Sequence, residues 1–568
     1  MLSCAPGKVP DRGGISSTSP ALHRPFDPAY FRRVRWWLLS LGWLFWGCGR
    51  EKQGRTYVRI ALFSPYTSLD PLYARDLVSV WLTQQLFEGL MRYDDSLQLI
   101  PGLAARYDVL DGGRVYRFYL RRGVTYHQRP ERTLRAEDVL YNWHRLADPA
   151  WASPGSYVFE GLIEGWHAYR AGQAQSISGL RTIGDSIVEV RLEKPYAPFL
   201  HLLTLPYTYI ALPESVAALG RAFGERPVGT GLFRLQHLET GRLVVMQRWE
   251  NYWGGPPRLP GLVFQWFGNR LWAYEALRRG EIDAIEGLDR NLAYLLRTDS
   301  TWKAWANLRS EPTLGIEYLG IDRTGPLREK ALRAALAWLI QQLPLTEVVY
   351  QGHATPARNF VPPLLTDNTP IFPPPPAERT LEKLRQTPLT LYAPPASREL
   401  CEYLQSRLAR EGLRLRVEYL LGPSLRERLQ KTALPLWKAS WIADFPEAEN
   451  FLILFEGDKV VPQGPNTTRF RDREVDSLLR LARQTLNEAH RKALYAEIER
   501  RVLSEWPVIP LYHPHNVWLV RKEVQGFPCG RLTVLFPLGG VWKGSPGDGG
   551  KEAGAPLGHA TRQTALPR

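Results

Sequence analysis

The sequence predicts a multi-lobe α/β protein, and three observations lead to that class. The chain has 568 residues, more than usually fold around a single hydrophobic core. Hydrophobic residues make up 44% and aromatic residues 11% of the chain, which excludes a disordered protein. Helical and strand patterns alternate along the chain, and one stretch has the strand–helix–strand order that pairs strands in parallel.

The first half of the chain contains short strands and helices in alternation. In residues 56–63 (TYVRIALF) the side chains alternate in polarity and several are β-branched, which predicts a strand. Residues 76–91 carry apolar side chains at helical spacing, and residues 136–146 predict a helix with acids in its first turn. Residues 109–120 predict a hairpin, because an Asp-Gly-Gly turn separates two alternating runs. Further strands are predicted at 187–192 and 242–249, and a helix at 271–283.

The second half contains the strongest helix pattern, residues 326–344, which has one apolar stripe and a proline at each end. A proline-rich surface loop or linker follows at 362–376. The strand–helix–strand stretch consists of 388–394, 397–410 and 413–420. Two helices near 473–485 and 488–505 precede two strands, VIPLY and VWLV.

An apolar stretch near the N-terminus predicts export. Three arginines between residues 32 and 35 precede the apolar run 36–47, which as a helix rises about 18 Å, too short for a hydrocarbon core of about 30 Å. Cys48 follows Gly47 at the position where bacterial lipoproteins are lipidated. The tetrad FWGC departs from a usual lipobox because Phe45 and Trp46 are bulky, so ordinary secretion and an uncleaved anchor remain alternatives.

Charge and cysteine usage argue against nucleic-acid binding and against a metal or redox cofactor. The formal net charge of +15 comes largely from arginines scattered over the chain, without a basic run typical of a nucleic-acid track. No CxxC or Cys/His spacing is present, so we predict no cofactor and no metal site. Cys401 and Cys529 either form a disulfide or are two buried thiols, and the second alternative is favoured.

Two short motifs suggest other chemistry. Gly184-Asp185-Ser186-Ile187 is similar to the nucleophile motif of GDSL hydrolases, but it precedes a strand and no DxxH block lies near the C-terminus. We therefore predict that the protein is not an enzyme. His513-Pro514-His515 could hold a metal, although an isolated pair of histidines is more often structural.

The segment WKASWIADF contains candidate binding residues. Trp437 and Trp441 flank Lys-Ala-Ser, and Asp444 follows between apolar residues, where a carboxylate is costly to bury without a cationic partner. One interpretation is an exposed turn carboxylate before Pro446. The other is a cleft carboxylate that binds a ligand ammonium, with the tryptophan faces providing desolvation and cation–π contact.

A series of segments in order resembles one family, the extracytoplasmic solute-binding proteins of peptide/nickel-type ABC transporters (family 5, the oligopeptide/dipeptide/nickel-binding lipoprotein group). The matching segments extend from about residue 56 to 526 and include SLDPLYARD, LFEGLMRYD, AEDVLYNWHRLADP, VEVRLEKPYAPFL, LREKALRAALAWLI, WIADFPEAENF and HRKALYAEIERRVLSEWPVIPLY. Two signatures differ: Arg135 replaces the usual threonine cap before AEDV, and Gln341-Gln342 replaces an Asp-Arg pair.

The resemblance implies a periplasmic-binding-protein-like clamshell of two α/β lobes with hinge strands and an extra inserted domain, type II and cluster C-like. It divides the chain into an N-terminal extension and signal peptide (1–47), a tether (48–55), lobe I (56–88, 219–318 and 507–543), an inserted extra domain (89–218), lobe II (319–506) and a disordered tail (544–568).

The resemblance also implies site residues. Asp444 matches an aspartate that pairs with the α-amino group of a peptide, and Lys438 matches a basic residue that can meet a ligand carboxylate, although lysine lacks the bidentate fork of arginine. Trp441 matches a cleft-wall position, and the segment containing Tyr73 and Arg75 follows Leu-Asp-Pro, where the family contributes another wall.

The function implied is the capture of oligopeptides or dipeptides in the interlobe cleft and their delivery to ABC transporter permease subunits. We expect a monomer that is exported, is anchored to the membrane through lipid on Cys48 and works in the periplasm or at the cell surface. Binding of nickel or a metallophore, an opine or a sugar by the same fold is the alternative within binding proteins. A sensor or scaffold with the same fold is the alternative outside transport.

Overall fold

A computed structural model describes residues 57–544 of the chain. The predicted signal peptide, the whole predicted tether with Cys48, and the predicted tail beyond Gly544 lie outside these described residues. Among the described residues, no helix has the length and apolarity that a membrane crossing requires. The α-helices are Leu77–Leu86, Ala136–Ala147, Trp166–Arg170, Phe199–Leu202, Pro213–Leu219, Arg270–Arg278, Arg290–Thr298, Lys330–Gln341, Leu345–Val348, Glu378–Gln386, Arg398–Arg410, Gly422–Lys431, Glu449–Leu452, Arg473–Gln484 and Glu488–Ser504.

The first part of the large sheet is built around the strand Val58–Leu62. This strand pairs in parallel with Gly261–Trp266 on one side and with Ala284–Glu286 on the other. The strands of this part of the sheet lie in the order Phe233–Glu239, Leu243–Arg248, Gly261–Trp266, Val58–Leu62, Ala284–Glu286 and Val508–Arg521. Because the carboxyl ends of parallel strands meet at one edge, residues that follow Leu62 lie where ligands bind to open α/β sheets.

The second part of the large sheet contains the predicted strand–helix–strand unit. Leu389–Ala393 pairs in parallel with Leu415–Tyr419 across the helix Arg398–Arg410, which confirms the parallel pairing expected from the sequence. The order is Val508–Arg521, Gly315–Ile321, Leu436–Ile442, Leu389–Ala393 and Leu415–Tyr419. The remaining strands of the large sheet, Ala306–Pro312 and Ala354–Pro356, both pair with Val508–Arg521.

The strand Val508–Arg521 belongs to both parts of the sheet. Its first half pairs with Gly315–Ile321, and its second half pairs with Ala306–Pro312. The sequence predicted two separate strands here, and that prediction was wrong. The strand passes through Pro514 because the carbonyl of this residue accepts a hydrogen bond from the Thr313 amide (2.9 Å), although proline itself has no amide donor.

A separate antiparallel sheet has four strands, in the order Ala104–Leu110, Val115–Leu120, Ile187–Arg191 and Leu180–Ile183. The predicted hairpin at 109–120 is confirmed, and Gly112 and Gly113 take positive φ angles of 59° and 91°, which glycine adopts without strain. Two-stranded pairs join Met91–Tyr93 to Leu99–Pro101, Thr125–Tyr126 to Arg129–Thr133, and Val524–Gln525 to Trp542–Lys543. The domain boundaries assigned from the sequence stay a prediction.

Several helices are shorter than their sequence patterns. The helix predicted at 326–344 spans Lys330–Gln341, because residues 325–328 form a turn before it. The helix predicted at 76–91 spans Leu77–Leu86 and begins at Asp76, whose carboxylate accepts a hydrogen bond from the Ser79 amide (2.8 Å). In the first turn of the helix Ala136–Ala147, the carboxylate of Asp138 accepts a hydrogen bond from the backbone amide of Arg135 (2.9 Å), so the helix itself satisfies the amide of residue 135.

One apolar core joins the four-stranded sheet to the second part of the large sheet. It includes Tyr116 and Phe199 from the first of these units and Phe445 and Tyr495 from the second. Tyr73, Tyr207 and Trp441 are partly buried and pack against the same core. Side chains from three segments that are far apart in the sequence therefore pack against one core.

Candidate functional site

The strand Leu436–Ile442 carries most of the residues predicted to bind ligand. It pairs with Gly315–Ile321 up to the pair Ile442 with Gly315, so Asp444 lies just beyond the last paired residue. Ala443 and Phe445 are buried on either side, whereas Asp444 is exposed. The backbone thus holds Asp444 firmly while its side chain faces away from the core.

The Asp444 carboxylate has no ion pair with any other described residue. Its backbone amide donates to Oδ1 of Asn450 (3.4 Å). The side chain reaches solvent within a cleft, and the protein around it partly desolvates the carboxylate, which raises the pKa of Asp444 above its ordinary value. A carboxylate in this position is available to a cationic ligand.

Trp441 forms one wall beside Asp444. Its indole N–H donates to the backbone oxygen of Asn450 (2.7 Å) and lies 3.1 Å from Oδ1 of the same residue. Asn450 therefore orients both Trp441 and Asp444. The ring is partly buried against the shared apolar core, which leaves part of the aromatic surface open to the cleft.

The segment that contains Tyr73 is held rigidly. Asp70 caps the turn Pro71–Tyr73 and forms a buried ion pair with Arg145 of the helix Ala136–Ala147 (Nη1 to Oδ1, 3.1 Å). Arg145 also lies over the ring of Trp151 (4.3 Å), and the Trp151 carbonyl accepts a hydrogen bond from the Tyr73 hydroxyl (2.7 Å). Tyr73 is thus fixed by its hydroxyl and by the cap before it.

Arg75 and Asp76 follow this turn. Asp76 is engaged by its own helix: burial would raise its pKa, but hydrogen bonds from Ser79 and Thr67 lower it. Arg75 is exposed and has no side-chain hydrogen bond or ion pair among the described residues. Arg75 is therefore a free cation beside the cleft, and Asp76 serves the structure.

Tyr157 and Tyr207 complete the surroundings of Asp444, and the sequence analysis missed both. Their rings are edge-to-face with centroids 6.5 Å apart. Burial raises the pKa of Tyr207 to about 12, and the negative charges of Asp444 and then Asp76 contribute, whereas Arg75 lowers this pKa. Tyr157 is 62% exposed, but desolvation by the surrounding protein and then the charge of Asp444 raise the pKa of its hydroxyl. Asp444 and Arg75 therefore act with opposite sign on the pKa of the same phenol, Tyr207.

The position of Tyr207 depends on a glycine. A Cβ at Gly155 would lie 2.1 Å from the Tyr207 ring, so only glycine allows this close approach. The turn Pro206–Thr208 packs against the turn Pro71–Tyr73. No local sequence signal distinguishes Tyr157 or Tyr207 from the other tyrosines, because their position depends on how separate segments pack.

Lys438 does not face the cleft as a free cation. It is 6% exposed, and its ammonium forms an ion pair with Glu317 on the neighbouring strand. Burial raises the pKa of Glu317, and the positive charge of Lys438 opposes that rise. In this arrangement the lysine neutralises Glu317, which leaves it unavailable to a ligand carboxylate.

Trp437 lies in the core rather than at the cleft. Its side chain is fully buried and packs with a small apolar cluster: Tyr392, Leu425, Leu429 and Leu434. Its ring covers Gly320 so closely that a Cβ there would lie 2.3 Å away. The predicted wall of two tryptophans is thus a single tryptophan, Trp441.

The remaining polar motifs have structural roles. Nδ1 of His513 lies 2.8 Å from the Gly315 carbonyl oxygen, and His515 bridges Ser310 (Nδ1, 2.9 Å) and Thr355 (Nε2, 2.8 Å). Within residues 57–544, no group of three or more His, Cys, Asp or Glu side chains has a metal-binding arrangement. Cys401 and Cys529 are free thiols and not a disulfide, as the sequence favoured, but Cys401 is buried whereas Cys529 is only partly buried.

A cavity of about 760 Å³ lies elsewhere, between the helices Arg270–Arg278 and Arg290–Thr298 and residues Gln351 and Glu399. It contains none of the residues predicted to bind ligand. The candidate site is therefore the cleft defined by Asp444, Trp441, Tyr157, Tyr207 and Arg75.

An unpaired carboxylate beside aromatic side chains is suited to binding a cationic ligand. A sequence profile for bacterial extracellular solute-binding proteins, family 5 Middle, matches residues 98–462, more than half of the chain. The chain therefore belongs to family 5 of the bacterial extracellular solute-binding proteins. This result confirms the family predicted from the sequence and an extracytoplasmic location. It also confirms that the protein is not an enzyme, because the family consists of solute-binding proteins.

Individual relatives are distant but cover most of the chain. The dipeptide-binding protein of Escherichia coli (strain K12) is 27% identical over 473 residues, which cover 78% of this chain and 85% of that protein. The di/tripeptide-binding protein 2 of Pseudomonas aeruginosa (strain UCBPP-PA14) is 28% identical over 469 residues, which cover 77% of this chain and 86% of that protein.

A solved structure confirms the predicted fold class. The periplasmic binding protein DppA of Helicobacter pylori, in complex with the peptide STSA, superposes with a TM-score of 0.69 at 22% identity, covering 87% of this chain and 99% of that one. The mixed α/β periplasmic-binding-protein fold expected from the sequence is thus the fold of this chain.

Proposed function

We propose that this protein captures short peptides in the cleft beside Asp444 and delivers them to the permease subunits of an ABC transporter. The observation that carries the proposal is the unpaired carboxylate of Asp444, which stands among the aromatic side chains of Trp441, Tyr157 and Tyr207. The relatives support it, since they bind dipeptides and di- or tripeptides.

Asp444 is proposed to bind the α-amino group of the peptide. An ammonium gains a charge-assisted hydrogen bond from the carboxylate and a cation–π contact from a neighbouring ring. Protein already surrounds the carboxylate and raises its pKa, so the ligand ammonium supplies the counter-charge that the free protein lacks there. Losing such a charged partner costs about 2–5 kcal/mol of binding free energy.

Arg75, rather than Lys438, is proposed to bind the ligand carboxylate. Lys438 is neutralised by Glu317, whereas the guanidinium of Arg75 is exposed and affects the same phenol, Tyr207, as Asp444 does. Arginine offers the planar fork that matches a carboxylate. Arg75 follows the strand Val58–Leu62 in the chain, and Asp444 follows the strand Leu436–Ile442 of the other part of the large sheet, so a zwitterionic peptide would bridge the two parts. Tyr73 and Trp441 are proposed as walls.

Delivery to a permease requires that the protein stay near its membrane, and lipid on Cys48 is proposed to hold it there. One acyl chain gives only reversible attachment, and stable anchoring takes two signals. We expect Cys48→Ser to abolish labelling with a palmitate analogue and to release the protein from membranes. Retained labelling would contradict the proposal.

Thermal unfolding with a peptide panel tests the binding proposal. Dialanine, trialanine and glutathione should raise the Tm of the wild type, and their N-acetyl forms should not. Asp444→Asn should weaken binding at least about 30-fold, the equivalent of 2 kcal/mol. Asp95→Asn, which changes an exposed aspartate outside the cleft, is the control. An unchanged Tm shift in Asp444→Asn would overturn the site.

A further inference from the structure

The segment 444–450 carries the proposed ligand carboxylate at its first residue and is anchored by its other residues. The side chains of Phe445, Glu447 and Glu449 are 6%, 9% and 3% exposed. A buried carboxylate needs a partner, because an unpaired charge away from water is costly. The partners of these side chains therefore show what holds the segment.

His201, on the helix Phe199–Leu202, contacts two of these side chains. Its ring is stacked on the ring of Phe445, with centroids 5.8 Å apart and an interplanar angle of 21°. Its Nε2 lies 3.7 Å from Oε2 of Glu447, and its Nδ1 lies 2.8 Å from the hydroxyl oxygen of Tyr93. Glu447 also accepts a hydrogen bond from Nε of Arg491 (2.8 Å).

Tyr196 contacts the third side chain. Its hydroxyl donates to Oε2 of Glu449 (3.2 Å), and Nε of Arg483 donates to Oε1 of the same carboxylate (2.6 Å). The backbone oxygen of Arg483 accepts from the Ala197 amide (2.6 Å). Tyr196, Ala197 and His201 all follow the strand Ile187–Arg191 of the four-stranded sheet, within ten residues of its end.

This anchoring leads directly to the proposed site. Glu449 precedes Asn450, whose side-chain oxygen accepts from the Asp444 amide (3.4 Å) and from the Trp441 indole (3.1 Å). A shift of Glu449 therefore moves the acceptor that orients both the carboxylate and the aromatic wall.

We infer that Tyr196 and His201 are positioning residues that fix Asp444 through the segment 444–450. The unit built on the four-stranded sheet thereby sets the geometry at which the second part of the large sheet presents its carboxylate to a ligand. This inference rests on the proposed function for its link to peptide binding. The link between Tyr196 and the segment can be tested without ligand.

A matched pair of tyrosine variants tests the inference. Tyr196→Phe keeps the ring and removes the hydroxyl that donates to Glu449. Tyr119→Phe removes a similar hydroxyl, which donates to Asp108 (2.8 Å) within the same four-stranded sheet and away from the segment. Hydrogen–deuterium exchange of the ligand-free protein should be about five-fold faster over residues 443–451 in Tyr196→Phe and unchanged in Tyr119→Phe.

A second variant and a binding measurement separate positioning from general destabilisation. His201→Phe keeps an aromatic ring against Phe445 but removes the contacts of the ring nitrogens with Glu447 and Tyr93. It should therefore accelerate hydrogen–deuterium exchange over residues 443–451. Both variants should weaken trialanine binding about five-fold while Tyr119→Phe does not. Unchanged exchange over 443–451 in both variants, or equal acceleration throughout the chain, would overturn the inference. If the wild type does not bind any peptide of the panel, the proposed function fails, and the exchange result still decides the positioning.

Discussion

Lys438 and Asp444 lie six positions apart on one segment, yet the fold uses them in opposite ways. Lys438 lies within the paired part of its strand, where Leu319 is directly opposite and Glu317 is a diagonal neighbour that supplies a counter-charge. Asp444 lies beyond the last pair, Ile442 with Gly315, and has no cross-strand neighbour. A charge inside the sheet is neutralised by the sheet, whereas a charge just past its end remains available to a ligand.

The largest expected effect is the loss of stability when Lys438 is replaced. Lys438→Met leaves the Glu317 carboxylate, which is only 20% exposed, without its counter-charge, so we expect the free energy of unfolding to fall by about 3–5 kcal/mol. Urea denaturation measures this loss. The double variant Lys438→Met/Glu317→Gln should recover most of it, since no buried charge is left alone.

The same variants sharpen the comparison between the two residues. Peptide affinity at a temperature where the double variant is folded should match that of the wild type, because the lysine does not meet the ligand. A loss of affinity as large as that of Asp444→Asn would contradict the contrast between Lys438 and Asp444.

The sequence predicts the strands and their parallel pairing well, but it does not predict which side chains face each other. Parallel pairing of Leu389–Ala393 with Leu415–Tyr419 follows from the strand–helix–strand order, and the position of Asp444 after a strand follows from the apolar run before it. The partner of Lys438 is 121 residues away, and its identity requires the register of two strands. A motif gives residue types in order, but it does not give the residues that face them.

The two tryptophans illustrate the same limit. Trp437 and Trp441 belong to one segment, and the sequence alone assigns them the same role. Trp437 is covered by the helix Gly422–Lys431 and the strand Leu389–Ala393, whereas Trp441 lies at the end of the strand beside Asn450. Tyr157 and Tyr207 were missed because only the packing of distant turns brings them to Asp444.

The second prediction concerns the pH dependence of binding. In the free protein the pKa of Asp444 is raised by desolvation, so its charged form is disfavoured there and the group favours the folded state most at low pH. The ligand ammonium needs the charged form, so affinity should be full above the raised pKa and fall as pH drops through it. Below that pKa the decline approaches about ten-fold per pH unit.

Calorimetric titration with trialanine between pH 4 and 8 measures this profile. In Asp444→Asn the decline should disappear, because the amide does not titrate in this range. His201→Gln is a necessary comparison, since burial lowers the pKa of His201, which lies beside Glu447. If the fall of affinity at low pH disappears in His201→Gln and persists in Asp444→Asn, it arises from the contact between His201 and Glu447 and not from the carboxylate of Asp444.

The smallest expected effect concerns Arg75, the cation that is free where Lys438 is not. If Arg75 binds the ligand carboxylate, Arg75→Gln should weaken trialanine binding by about ten-fold, the usual scale for one charged hydrogen-bond partner. Trialanine amide has no carboxylate, so its affinity should be equal in the wild type and the variant. Arg410→Gln changes an exposed arginine on the helix Arg398–Arg410 and is the matched control. It should leave the affinity for both ligands unchanged. An equal loss for the acid and the amide would assign Arg75 to the cleft wall, and Asp444 would then be the one charge that recognises the peptide among the residues tested.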